Sequence, residues 1–345
     1  MRRMSVQQSK RRSGPVTIRD VAARAGVSLG TVSNVLNHPH LVAEEKRRRV
    51  LEAIEELGFV RSSAARQLRG RRSHSIGVVV LDVANPFFTE VLRGIEDVLA
   101  ANGYTILICS SDESPEREDY QLRVFEEKRV DGVIITPSSG SGARLGRLRQ
   151  RGIPFVLLDS PALELESCWV AVDDVRGGYL AISCLIERGH RRIALLNGPE
   201  EIRQCADRLA GARSAMEEAG LDPDQLVVLS LGLQTAQEGD KVAERLLDIE
   251  PRPTAVFCVN DLVALGVLRR LRQAGVEVPG DMAVVGYDDI DVASIVKPEL
   301  TSIRQPKYEL GKVAAELLLE EVEAGPRHEH RHVLFEPELI VREST

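Results

Sequence analysis

The sequence predicts an α/β protein: a small all-α helix-turn-helix headpiece followed by two doubly wound parallel-sheet subdomains. Three observations predict it. Short helical patterns are confined to the first 60 residues. From Ile76 onward, apolar strand-like runs alternate with amphipathic stretches. The charge also changes sign between these regions: residues 1–75 hold 16 Lys and Arg against 6 Asp and Glu, and the rest of the chain holds 29 against 46.

In "TIRDVAARAGVSLGTVSNVLN", Ile18, Val21, Ala22 and Ala25 recur at helical spacing behind Thr17, a good N-cap, with Asp20 at N3 near the positive end of the helix dipole. Gly26 stops this helix, where a left-handed residue costs least. Ser28 caps a second helix whose Val32, Val35 and Leu36 face inward. Leu29, Gly30, Thr31, Ser33 and Asn34 are left outward or at its leading edge. A helix this short fits a major groove and presents hydroxyls and an amide to base edges. A third helix, "AEEKRRRVLEAIEELG", carries a basic run from Lys46 through Arg47 to Arg49, suited to phosphates, and an apolar stripe at Val50, Leu51, Ile54 and Leu57.

The stretch 61–75, "RSSAARQLRGRRSHS", reads as a basic connector, and residues 1–15 as a basic tail expected to be disordered. "SIGVVVLDV" then suits a strand buried on both faces. "FFTEVLRGIEDVLAANG" sets Val91, Leu92, Ile95, Val98 and Leu99 on one helical face. The rhythm continues through "YTILICSSD", "DGVIITPS", "IPFVLLDS", "RRIALLNG", "LVVLS", "TAVFCVND" and "MAVVGYDD", with helical stretches between and a last strand "HVLFEPELIVR". Such units require right-handed crossovers and parallel sheets. Residues 76–345 exceed one core, so two subdomains are expected: an N-subdomain of about 76–172 and 303–331 and a C-subdomain of about 173–302 and 332–345. A ligand belongs in the cleft at the carboxyl ends of the strands.

Several classes are disfavoured. No run approaches the roughly 20 apolar residues that span a bilayer, so no membrane partner is expected. No signal-peptide core follows the basic N-terminus, which predicts a cytoplasmic protein. The chain lacks GxGxxG after a strand, GxxxxGK[ST], HExxH and GxSxG, which speaks against an enzyme. Five scattered cysteines without a CxxC pair read as small buried hydrophobes. "HEHRH", His328 to His332, reads as a solvated turn entering a strand. Neither metal nor cofactor is expected.

These motifs, with "VLEAIEELGFVRSSAARQLRG", "NPFF", "KRVDGVII", "IERGHRRIALL", "DRLAGA", "PTAVFCVNDLVALG", "VPGDMAVVGYDD" and "LTSIRQP", resemble the LacI family of bacterial transcriptional regulators from Pro15 to the end of the chain. The later motifs are similar to the family's effector-binding core, itself like periplasmic sugar-binding proteins. The resemblance implies a homodimer bound to a near-palindromic double-stranded DNA operator and controlled by a small molecule. Ser28, Leu29, Gly30, Thr31, Ser33 and Asn34 would meet bases or nearby phosphates. Thr17, Arg19, Lys46 and Arg47 would hold the backbone. Ser62, Ala65, Arg66 and Leu68 match the family's hinge, which folds in the minor groove with Leu68 as the wedge; a contact onto the core domain is the other reading of Leu68. Arg61-Ser62 replaces the usual Pro-Asn.

Arg208 in "RLAG" and Asp288 after "GY" match the pair that clamps ligands in family members that sense small molecules. Asn85, Phe87 and Phe88 would line the opposite wall, with Asp159, Gln234, Asn260 and Asp261 as further polar candidates. Leu233 and Gln234 stand where the family often has a stacking aromatic. A carbohydrate is the leading ligand class; a purine or a protein corepressor is the alternative, and a sugar-binding transport component is the reading outside regulation. Three chain crossings near residues 173, 302 and 332 would let the subdomains move and change the spacing of paired hinges.

Overall fold

Thr17 starts the first helix through its own N–H and hydroxyl, which both donate to the Asp20 carboxylate at 2.9 and 2.6 Å. In the computed structural model, which describes residues 16–59, 72–161 and 166–345, the chain divides into two units, 1–73 and 74–345. The first holds α1 (Ile18–Ala25), α2 (Leu29–Asn37) and α3 (Glu44–Leu57). Gly26 ends α1 at φ 62°. A side chain there would also meet the Arg49 guanidinium, which donates to the Ala25 carbonyl and satisfies one of the orphan acceptors of the helix end. Val21, Ala22, Ala25, Val32, Val35, Val50 and Ala53 form the small core. Leu51 was expected in the apolar stripe of α3 but is 51% exposed; Ala53 takes the inward position, because three short helices enclose a narrow core.

The second unit opens with β1 (Ser75–Val80), α4 (Pro86–Ala101), β2 (Thr105–Ser110), α5 (Pro115–Lys128), β3 (Gly132–Ile135), α6 (Gly142–Gln150), β4 (Phe155–Leu158) and β5 (Cys168–Val172). It continues with α7 (Asp174–Glu187), β6 (Ile193–Asn197), α8 (Arg203–Glu218), β7 (Val227–Ser230), α9 (Ala236–Leu247), β8 (Ala255–Cys258), α10 (Asp261–Gln273), β9 (Ala283–Asp288) and β10 (Thr301–Arg304). Last come α11 (Lys307–Ala324), β11 (His332–Phe335) and β12 (Glu338–Ile340). Strands β1, β3, β4, β6, β8 and β9 are nearly continuous apolar runs because helices cover both faces of each sheet.

The first sheet has the order β11-β5-β4-β3-β1-β2 and the second β12-β10-β9-β8-β6-β7. All pairs are parallel except β10 with β12, which is antiparallel. The order reverses between β1 and β3 and between β6 and β8, and the strand ends there face the ligand cleft. The chain passes between sheets at Asp173, at Gln305–Pro306 and at Glu336–Pro337. The last two crossings fall a few residues later than expected. Two elements account for this: "TSIR" is a strand of the second sheet, and "HVLFEPELIVR" is split at Pro337, so β11 joins the first sheet and β12 the second. Proline has no N–H for a ladder and suits such a break.

Neighbouring helices on one face of a sheet pack at close range. A Cβ on Gly178 of α7 would lie 2.1 Å from the Arg208 carbonyl oxygen of α8, and one on Gly177 would meet the Tyr287 hydroxyl. The α7–α8 crossing therefore fixes the backbone that carries Arg208. Among the described residues, no helix is long and apolar enough to cross a membrane. The cysteines are free thiols, four buried and Cys109 half-buried.

Gly178→Ala is expected to lower unfolding stability by about 1–3 kcal/mol, the usual cost of overpacking, read from urea denaturation. An unchanged midpoint would show that α7 and α8 separate freely and do not fix Arg208.

Candidate functional site

The headpiece offers a polar helix face of limited freedom. Ser28 Oγ accepts from the Thr31 N–H at 3.1 Å and lies 2.9 Å from the Thr31 hydroxyl, so both residues are engaged in capping α2. Asn37 donates to the Ser33 carbonyl at 2.7 Å. Leu29, Gly30 and Asn34 are exposed. Arg19 and Lys46 are exposed cations without an ion pair among the described residues. The basic run on α3 is partly consumed within the headpiece. Arg48 pairs with Glu45 and Glu52 at 2.9 and 2.8 Å, Arg47 lies 3.9 Å from Glu44, and Arg49 caps α1. The phosphate role expected for the whole run therefore narrows to Lys46 and Arg47. Ser62, Ala65, Arg66 and Leu68 lie outside the described residues.

In the second unit, the carboxyl ends of the strands enclose a cleft with a cavity of about 260 Å³ lined by Leu81, Asp82, Asn85, Phe88, Asp112, Glu113, Leu233, Gln234, Thr235 and Asn260. A narrower extension adds Phe87, Asp159, Ile202, Gln204, Arg208, Asp288 and Gln305. The cleft thus brings together eight of the nine expected effector residues. Asp261 is the exception. It is fully buried at the start of α10, where its carboxylate accepts from the Ile290 N–H at 2.8 Å and the Ser302 hydroxyl at 2.6 Å. Its role is to tie α10 to the loop after β9 and to β10.

Arg208 is buried and fixed on three sides. Its Nε donates to Asp174 at 2.8 Å and its Nη1 to the Val259 carbonyl at 2.6 Å, while its guanidinium lies 3.6 Å over the Tyr287 ring. Tyr287 donates its hydroxyl to the same Asp174 oxygen at 2.6 Å. Removing one partner of such a buried pair costs about 3–5 kcal/mol, because the other charge is left without compensation. The Nη2 edge remains for a ligand.

Asp288 ends β9 at φ 102°, and Asp159 follows β4 at φ 53°. Both are non-glycine residues held in a disfavoured region by their surroundings, as residues aimed at ligands often are. Burial pushes the Asp288 carboxyl up to about 6, against the opposing pull of Arg208 and of Gln305, whose amide donates at 2.7 Å. Burial and the neighbouring Asp174 raise Asp159 well above the usual carboxylate range. Asp159 Oδ1 and Gln305 Oε1 are buried without a donor among the described residues.

Side-chain contacts join the walls, among them that of Asn85 with Asp288. Gln234, after β7, donates to Glu113, after β2, at 3.0 Å. Gln204 of α8 donates to the Asp159 carbonyl and, at 3.2 Å, to its carboxylate. Asn85 and Asn260 cap α4 and α10, accepting from Phe87 N–H at 3.0 Å and Val263 N–H at 2.8 Å. Phe87 and Phe88 meet edge to face with centroids 5.0 Å apart. The sequence reading missed Asp82, Asp112, Glu113, Gln204 and Gln305. The first three directly follow β1 and β2, so the rule that ligands sit at the carboxyl ends of strands would have found them. Gln305 lies in the motif "LTSIRQP" without having been singled out there, and no pattern marked Gln204.

Comparison with known proteins agrees with both units. The family "Bacterial regulatory proteins, lacI family" matches residues 17–62, and "Periplasmic binding protein-like domain" matches 182–345. The chain is 37% identical over 329 residues to the HTH-type transcriptional repressor PurR of Photobacterium profundum, covering 95% of this chain and 98% of that protein. Its structure is similar to a lac repressor dimer bound to operator and the anti-inducer ONPF, with TM-score 0.84 and 28% identity over 96% of this chain and 99% of that one. It is also similar to a LacI family regulator from Enterococcus faecium with bound ribose, with TM-score 0.73 and 36% identity over 79% and 98%.

Asp288 sets a pH dependence of known sign. Its folded value of about 6 lies above the unfolded carboxylate value of about 4, so the folded state holds the proton more tightly. Stability contributed by the protonated acid is present below pH 4 and is lost as pH rises through 6. Asp288→Asn should therefore gain relative to wild type between pH 4 and 6, by up to about 3 kcal/mol, with a constant difference above. Urea unfolding at pH 4.5, 6 and 7.5 reads this. A difference that does not vary with pH would remove Asp288 as the titrating group.

Proposed function

Because the chain belongs to the lacI family of bacterial regulatory proteins, we propose that this DNA-binding transcriptional repressor is controlled by a neutral, donor-rich ring ligand, a purine base, bound in the cleft between its two sheets. One observation carries the ligand class. Five acidic residues, Asp82, Asp112, Glu113, Asp159 and Asp288, line the cleft, and although Asp112 pairs with Arg117 and burial favours the neutral acid at Asp159, the one lining cation, Arg208, is already paired with Asp174. A phosphate would meet repulsion there, whereas N–H and O–H donors would find Asp288, Asp159 Oδ1 and Gln305 Oε1. The apolar wall of Leu81 and Phe88 suits a flat ring face. A cavity of about 150 Å³ holds benzene, so 260 Å³ suits a bicyclic base or one sugar ring.

The purine reading draws further support from the 37% identity to a repressor named PurR. An unphosphorylated sugar is the second reading, favoured by the ribose-bound neighbour. On DNA, the proposed complex is a homodimer on a near-palindromic operator. Leu29, Gly30 and Asn34 enter the major groove, Arg19, Lys46 and Arg47 hold phosphates, and Leu68 wedges the minor groove, while Thr17 spends both its donors on Asp20. Ligand binding changes operator affinity by as much as it discriminates between the two arrangements of the cleft.

A thermal-shift series with adenine, guanine, hypoxanthine, ribose and adenosine monophosphate tests the ligand class. A native-state ligand at a hundredfold excess over Kd stabilises by about 2.7 kcal/mol. A free base is expected to raise Tm in wild type and not in Asp288→Ala, and the monophosphate to have no effect. A response to ribose alone would replace the purine reading, and a response to the monophosphate would overturn the charge argument.

Asn34→Ala is expected to reduce discrimination at one base pair per half-site by about 1–3 kcal/mol, with little change in the salt dependence of binding. Lys46→Ala should instead weaken all sequences and shallow the slope of log affinity against log salt by about one. Competition binding across single-base operator variants and salt titration separate the two. Uniform weakening by Asn34→Ala would refute its readout role.

A further inference from the structure

We propose that Cys168, Glu321, His328 and His330 form a four-ligand site for a zinc ion at the amino-terminal end of β5. The sequence alone makes "HEHRH" a solvated turn. It does lead into β11, but two of its imidazoles turn onto the first sheet. Cys168 opens β5 and is fully buried. Its Sγ lies 3.1 Å from His328 Nε2 and 3.9 Å from His330 Nδ1. Glu321 projects from α11, and one ligand atom from each of the four residues lies within 4.8 Å of every other. Two histidines separated by one residue on an extended segment share a face, which explains why both reach the same thiol.

The spacing is that of a metal site slightly expanded. Zn–N bonds of about 2.0 Å and Zn–S bonds of about 2.3 Å in a tetrahedron put ligand atoms about 3.3–3.6 Å apart. The closest pair, 3.1 Å apart, opens by about 0.4 Å and the widest closes by about 1 Å to reach that range. A thiol–imidazole hydrogen bond would account for the first contact alone. It leaves Glu321 Oε2, which is buried without a hydrogen-bond partner among the described residues and is costly in that state. The Arg331 N–H donates to Cys168 Sγ at 3.3 Å, the outer contact that steadies a ligating thiolate. One thiolate, two imidazoles and a carboxylate form a borderline-soft set that suits Zn²⁺ over Mg²⁺ or Ca²⁺.

Four protein ligands close the coordination sphere, so the site is structural. It ties β5 to α11 and to the lead into β11, whose ligands lie 153 to 162 residues further along the chain than Cys168. Because the sheet is parallel, this end lies opposite the effector cleft and is the end at which the chain enters β1.

The test is titration of chelator-treated full-length protein with Co²⁺, a spectroscopic substitute for zinc, followed by displacement with Zn²⁺. Expected are one equivalent bound, the visible bands of tetrahedral Co²⁺ and a thiolate-to-cobalt absorption, all abolished by Zn²⁺. Cys168→Ser should lose the thiolate absorption, and His330→Ala, at an exposed position, should bind at least about tenfold more weakly while keeping its unfolding midpoint in the presence of chelator. Absence of binding, an octahedral spectrum without thiolate absorption, or a spectrum unchanged in Cys168→Ser would overturn the assignment.

Discussion

The buried guanidinium of Arg208 is the constraint around which the cleft is arranged. A charge taken out of water must be met by an opposite charge and by hydrogen bonds to its remaining donors. Asp174, the Val259 carbonyl and the Tyr287 ring meet it from three elements: α7, the segment after β8, and β9. That demand reaches into the sequence as small residues. Gly177 leaves room for the Tyr287 hydroxyl, and Gly178 lets the α8 backbone approach. The network fixes the second sheet's half of the site before a ligand arrives, so little ordering is left to oppose binding.

The first sheet's half is held differently. It reaches the other wall through side chains, Glu113 to Gln234 and Asp159 to Gln204, and through three chain crossings. Amide-to-carboxylate hydrogen bonds of this kind are worth about 1–3 kcal/mol each at most, since water replaces them on opening. The two halves can therefore exchange partners at modest cost, whereas each sheet keeps its own packing. Under the proposed control, a ligand that takes over Asp159 or Gln234 would release these cross-wall bonds, the form that two-state control requires.

Much of this was legible from periodicity. The helix-turn-helix, eight of the twelve strands among the described residues, two more merged as "HVLFEPELIVR", and the alternation of strands with helices follow from apolar spacing and from Gly and Pro punctuation. "CWVAV" and "TSIR" escaped because four or five residues with a cysteine, a tryptophan or an arginine give no clear period, although β5 and β10 are where the chain prepares to cross between sheets. The break at Pro337 needed knowledge of which sheet each half joins. At the site, Arg208 and Asp288 were found by motif, but Asp261 sits beside Asn260 and sequence cannot say which of two neighbours turns inward. The basic run of α3 misled for a related reason: Glu45 and Glu52 lie three residues before and four after Arg48, so they share its helix face and take up its charge.

Charge links the two units. The basic excess of the first 75 residues and the acidic excess of the rest would let the first segment attract a polyanion that the remainder repels. The same acidic excess extends into the cleft, where desolvation raises Asp159 and Asp288. A ligand carrying phosphate would face the carboxylates, and the one cation it could reach, Arg208, is already paired with Asp174. A neutral ligand with N–H or O–H donors faces neither, and by donating to Asp288 it stabilises the ionised carboxylate that the empty cleft disfavours. The buried acids are thus strained where a ligand is needed, and the free energy released on satisfying them is available to shift the balance between the two arrangements of the cleft.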